Sequence, residues 1–147
     1  MNLLRLMLFT MMMFTCLLCN AQANVDERKM LVDSAINLQK IPTGGETYLL
    51  DENDHIFIPL SQRTRSNFHY MDIASKQNRK KLKKGISAWK VFSYLHGNEL
   101  VVKIVDFSIT YKNKNYDFGN NGGAIVEFFY DCNDNSWLLK NSKWYGN

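Results

Sequence analysis

The chain has 147 residues, 46% of them hydrophobic and 22% charged, with 18 Lys and Arg against 14 Asp and Glu. That length suits one domain with its own core. No G-x-S-x-G, phosphate loop or Cys/His metal motif occurs in it, which removes the enzyme and metal classes most readily read from a sequence.

Met1, Asn2 and Arg5 make a short positive lead, an apolar run follows to Leu18, and Ala21-Gln22-Ala23 places small residues where a signal peptidase reads. This predicts a cleaved secretory signal over 1–23, a single domain over 24–147, and a periplasmic or secreted protein without a transmembrane segment once the signal is removed. The apolar run is shorter than the ~20 residues a spanning helix needs. Lipid anchoring through Cys19 is the other option, and Leu18 directly before it fits that motif poorly. Cleavage removes Arg5, Cys16 and Cys19, so the net charge falls from +4 to +3 and Cys132 is expected to be alone.

Residues 24–40 read as an amphipathic helix, with Leu31, Ala35 and Leu38 at helical spacing and Val32 and Ile36 widening the stripe. Asn24 suits the N-cap, Asp26 and Glu27 suit the positive end, and Pro42, Gly44 and Gly45 stop it. Residues 46–50 and 55–60 then read as a short hairpin around Asp51-Glu52-Asn53-Asp54. Three carboxylates in one turn invite calcium, but calcium takes six to eight oxygens from a shaped loop, and a solvated hairpin tip is the simpler account.

Residues 63–84 are basic. They hold Arg63, Arg65, Lys76, Arg79, Lys80, Lys81, Lys83 and Lys84 with one acid, Asp72, against nine Lys and Arg and thirteen acids in the rest of 24–147. A helix is expected over 75–84, with Leu82 pointing inward and Gly85 as its stop. The charge separation points to an acidic protein partner or an anionic surface reached through the Arg63–Lys84 segment, with Lys80, Lys81, Lys83 and Lys84 as the contact residues. An exported protein seldom meets nucleic acid, and no nucleic-acid motif accompanies the segment, so none is expected as partner.

From Ile86 onward, apolar and aromatic runs alternate with turn residues: His96-Gly97-Asn98, Asn113-Lys114-Asn115, Gly119 to Gly123, and Cys132 to Asn135. Strands are expected over 86–95, 100–111, 124–130 and 137–139, followed by a polar tail. Within 100–111 the apolar face changes parity near Lys103 to Asp106, which requires a bulge or a passage from one environment to another. Asp106 sits mid-strand among Val105, Phe107 and Ile104, as a pocket carboxylate or as a paired or outward-facing one. Asp131-x-Asn133-x-Asn135 matches the start of a calcium loop, but Ser136 and Ser142 stand where that loop needs Gly and Glu, so an Asx-stabilised turn is expected. His55, His69 and His96 are scattered, and no metal or cofactor is expected.

The order of helix, short helical middle and long antiparallel meander, carried by Ile86-Ser87-Ala88-Trp89, Gly97-Asn98 before Leu100-Val101-Val102, and Glu127-Phe128-Phe129-Tyr130-Asp131 before Ser136-Trp137-Leu138-Leu139, resembles the cystatin-like and NTF2-like group of folds. The resemblance implies an α+β domain with its N-terminal helix packed on a curved antiparallel β-meander. That group includes isomerase-like and dehydratase-like enzymes and plain binding modules. Their acidic and His/Tyr pocket residues match no positions here, so no catalytic residue is carried over.

Two functional readings follow. The first is an exported, non-catalytic binding protein of the immunity or inhibitor type, engaging a protein partner in the cell envelope. The second is a small-molecule pocket in the sheet's concavity, with or without catalysis, lined by Trp89, Phe92, Phe107 and Phe128 around Asp106.

Overall fold

Helix α1, Val25–Asn37, forms where the apolar stripe lies, and Val32, Ala35 and Ile36 are buried by it. This computed structural model describes residues 25–41 and 45–146. The expected signal over 1–23, the Asn24 cap and the Pro42 and Gly44 stop lie outside the described residues. α1 ends short of Lys40, as Gln39 N–H closes a tighter turn on the Ile36 carbonyl at 3.1 Å. Leu38 therefore rotates outward and is exposed.

One mixed five-stranded sheet carries the rest, in the order β1 (Thr47–Leu50), β2 (Ile86–His96), β3 (Glu99–Lys112), β4 (Asn115–Asp131) and β5 (Ser136–Tyr145). The fold is thus α+β with a single open sheet. β2 to β5 are successive antiparallel neighbours. Asn113, Lys114 and Asn135 take positive φ at the hairpin turns, and Asn133 N–H donates to Asp131 Oδ1 at 2.8 Å, the Asx turn that these residues favour.

Four expectations need correction. β1 pairs parallel to β2, from Thr47 opposite Ser87 to Leu50 opposite Lys90, so the sheet is not wholly antiparallel. The second arm of the expected 46–60 hairpin is reduced to one bridge between Leu50 and Ile56. All four residues of β1 are buried, as suits a strand covered on both faces, and residues 51–85 supply the crossover that a parallel pair requires. Gly119 to Gly123 is not a turn: β4 runs through it, with Gly119 opposite Ser108, Asn120 opposite Phe107 and Gly122 opposite Asp106. Asn121 is left as the extra residue of a bulge. Likewise β5 continues through the polar tail to Tyr145, with Lys140 extra between Leu139 and Asn141.

The bulge falls where the apolar face of β3 changes side. Trp89 and Val91 of β2, Leu100, Val102 and Ile104 of β3, and Ala124, Val126 and Phe128 of β4 face α1, forming one core with Val32, Ala35, Ile36, Leu49 and Phe68. At the other end of the same strands the opposite face is buried. There Tyr48, Leu50, Ile86, Ala88, Ile109 and Tyr111 pack with Met71, Ile73 and Leu82 of the crossover. Each face is thus covered over one half and open over the other.

The crossover is pinned by short helices. α2, Gln62–Arg65, is capped by Ser61, whose Oγ accepts from Thr64 N–H at 3.3 Å. The helix expected over 75–84 is a 3-10 turn, Lys76–Asn78, running into α3, Arg79–Leu82. Leu82 is fully buried, and Gly85 at φ +86 ends the segment. Cys132, in the β4–β5 turn, is exposed. Among the described residues no helix is long and apolar enough to cross a membrane.

Candidate functional site

Burying Leu82 fixes which way α3 faces, and the lysines around it point outward. Lys80, Lys81, Lys83 and Lys84 are all exposed. They are not equivalent. The Lys81 ammonium pairs with Glu46 and lies 5.1 Å above the Tyr48 ring. Its hydrogen bond holds the Glu46 carboxyl below the ordinary range, and the same bond raises Lys81. Lys81 therefore ties α3 to the strand edge, while Lys80, Lys83 and Lys84 have no ion pair among the described residues.

Arg79 seats the same helix from its other end. Its guanidinium lies 5.2 Å from the centroid of Tyr111, near the end of β3. The next residues along the chain form the β3–β4 turn, where Lys112 and Lys114 are exposed. The fold thus brings two lysines from outside the basic segment to the end of the molecule that carries α3. Sequence reasoning missed them because the two stretches are about thirty positions apart; the aromatic Tyr111 next to a turn was the available signal. Within the basic segment, Arg65 is diverted, since its Nε donates to the Pro59 carbonyl at 2.6 Å.

The proposed pocket residues do not converge. Trp89 and Phe128 lie in the core under α1, at 0% and 4% exposure. Phe107 packs against the other core, edge-on to Phe118 at 5.7 Å. Phe92 pairs across to Lys103 on the open half of that same face. There Phe92, Ser93, Tyr94, Lys103 and Glu52 line an open recess of about 280 Å³.

Asp106 is opposite Trp89 in the ladder, on the α1 face but beyond the core residues, in a polar patch with Ser87, Ser108 and the bulge residue Asn121. Ser87 Oγ donates to Asp106 Oδ1 at 3.4 Å, and Asn121 Nδ2 donates to Ser108 Oγ at 2.9 Å. Burial raises the Asp106 carboxyl above its ordinary value, partly offset by Ser87 and Asn121. A carboxyl that holds its proton more tightly folded than unfolded weakens the fold as pH rises from the ordinary carboxyl value through the raised one. Asp106→Asn is therefore expected to melt above the wild type at neutral pH, by less than about 1 kcal/mol of stability. The difference should vanish below the ordinary carboxyl range. Melting curves across pH check this, and a wild type more stable than the variant at neutral pH would contradict it.

The acidic turn is structural in its contacts. Asp51 Oδ1 accepts from the Asn53 and His55 amides at 2.8 and 2.9 Å, and Asp54 pairs with Lys90 at 2.8 Å. Among the described residues no three of His, Cys, Asp and Glu are grouped to hold a metal ion. No family model matches the chain, and neither a curated protein nor a solved structure matches it.

Proposed function

We propose that this chain is a non-catalytic binding protein that engages an acidic protein partner through its basic end, in the manner of an immunity or inhibitor protein acting in the periplasm or outside the cell. The observation that carries the reading is a set of exposed lysines without an ion pair among the described residues, Lys80 on α3 and Lys83 and Lys84 in the turn after it, held in place by Leu82, Lys81 and Arg79, with Lys112 and Lys114 at the same end. Cations clustered on a backbone held in one place steer an acidic partner toward it. The export compartment follows from the signal-like residues 1–23, and the helix-on-sheet layout is in keeping with a cystatin-like or NTF2-like binding module. A small-molecule pocket around Asp106 draws less support, because its aromatic wall is divided between two faces of the sheet.

The test is the triple variant Lys80→Glu, Lys83→Glu, Lys84→Glu. Its stability should stay within about 0.5 kcal/mol of wild type, since none of the three supports the core. Tagged wild type is expected to enrich an acidic protein from an envelope fraction at low salt, with the signal lost on raising the salt and lost in the variant. Enrichment of the same protein by the variant would overturn the reading. Binding to anionic vesicles, with no protein enriched, would reassign the basic end to a membrane surface.

A further inference from the structure

A second site lies away from the basic end, against α1. Asp33 is 5% exposed, although it stands on a helix whose other acids, Asp26 and Glu27, sit in the first turn. One of its oxygens is used: Oδ2 accepts from the Ser61 amide at 2.5 Å, which joins α1 to the cap of α2. The other, Oδ1, is buried and has no hydrogen-bond partner among the described residues. A buried carboxylate oxygen left unpaired is costly unless something satisfies it.

Asp33 also lines an open recess of about 350 Å³, together with Met30, Ser34, Asn37, Leu60 and Ser61. The polar members of this lining are the Asp33 carboxylate, the Asn37 amide, which can turn either its oxygen or its NH2 inward, and Ser34 and Ser61. Ser34 directs its own proton to the Met30 carbonyl at 2.9 Å, leaving its lone pairs outward. The apolar members, Met30 and Leu60, are 62% and 46% exposed and flank the acid. Arg65 of α2 makes no hydrogen bond or ion pair to the acid, and its Nε donates to the Pro59 carbonyl.

We infer that this recess binds an alkylammonium group, with the ammonium drawn to the Asp33 carboxylate and the alkyl stem against Met30 and Leu60. An ammonium is three donors and no acceptor, which suits one buried negative charge with the Ser34 oxygen and the Asn37 amide oxygen beside it, and its methylene stem covers apolar surface while the head is bonded. The same chemistry occurs in a lysine side chain of a protein and in a free polyamine.

Calorimetric titration of the full chain distinguishes these sources, using Nα-acetyl-lysine methylamide for the first, cadaverine for the second, and Nα-acetyl-norleucine methylamide as the uncharged control. At least one ammonium probe should saturate the wild type, and the control should not. Asp33→Asn retains a carbonyl oxygen for the Ser61 amide and removes the charge, so binding should weaken at least about tenfold. Asn37→Leu leaves the Asp33–Ser61 bond untouched and should weaken binding severalfold, which keeps the test decisive if Asp33→Asn fails to fold. Saturation by the lysine probe assigns a protein lysine, and saturation by cadaverine alone assigns a polyamine. The inference is overturned if neither ammonium probe saturates, if the control binds as tightly, or if Asn37→Leu and a folded Asp33→Asn bind as wild type does.

Discussion

Gly123→Ala is expected to destabilise the protein by about 3 kcal/mol, the upper end of what overpacking does in a well-packed interior. A Cβ at this position would collide with the Ile104 carbonyl oxygen and stand 3.0 Å from Val105 Cα, both backbone atoms of the neighbouring strand. Backbone in the middle of a ladder has nowhere to move without breaking its own hydrogen bonds. Gly122, one residue earlier, holds φ +124 with the Tyr145 carbonyl 2.5 Å from where its Cβ would be. The two glycines thus let β4 pass closely between β3 and β5 just after the bulge. Chemical denaturation measures the loss. A Gly123→Ala protein as stable as wild type would mean that β3 and β4 do not approach here.

Trp89→Ala is expected to cost at least as much, about 3–5 kcal/mol. Trp89 is fully buried, with Phe68 at 5.3 Å and Trp144 at 5.7 Å between ring centroids. Through these contacts it joins the crossover, β2 and β5 beneath α1. Its indole Nε1 is buried with no partner among the described residues, so Trp89→Phe, which removes that N–H and keeps most of the apolar volume, should lose far less than the alanine variant. The ranking alanine well below phenylalanine in thermal melts checks the assignment. Equal melting of Trp89→Ala and wild type would place this ring outside the core.

Much of this architecture was legible along the chain, where neighbouring residues carry the signal. The Val32, Ala35 and Ile36 stripe, the burial of Leu82, the Gly85 stop and the hairpin turns at Gly97 and Asn113 all follow from local periodicity and turn chemistry. The parity change in β3 was legible too, since two cores on opposite faces leave that mark in the strand between them. What stayed hidden depends on partners distant in sequence. Gly119 to Gly123 has turn composition, and only the close approach of β3 and β5 makes those glycines strand residues. The polar run from Lys140 to Lys143 reads as a tail because one edge of a sheet needs no apolar alternation. Nothing local in Thr47 to Leu50 tells parallel from antiparallel pairing. At the basic end, Lys80, Lys83 and Lys84 were readable as a cluster, whereas the diversion of Lys81 to Glu46 and the addition of Lys112 and Lys114 required the folded sheet. Nothing local marks Asp33 for burial, which depends on the Ser61 amide brought against it by the crossover.

Both sites depend on β3 and β4 forming one uninterrupted ladder that carries a core on each face, because that ladder fixes α3 at one end and α1 at the other. Cross-strand contacts in an NMR spectrum test this directly. The account predicts contacts between Ile104 and Ala124 and also between Ile109 and Phe118, on either side of the Asn121 bulge, within the same folded species. Contacts at Ile104 and Ala124 alone, with residues 115–118 free of β3, would show a chain that turns at its glycines and would contradict it.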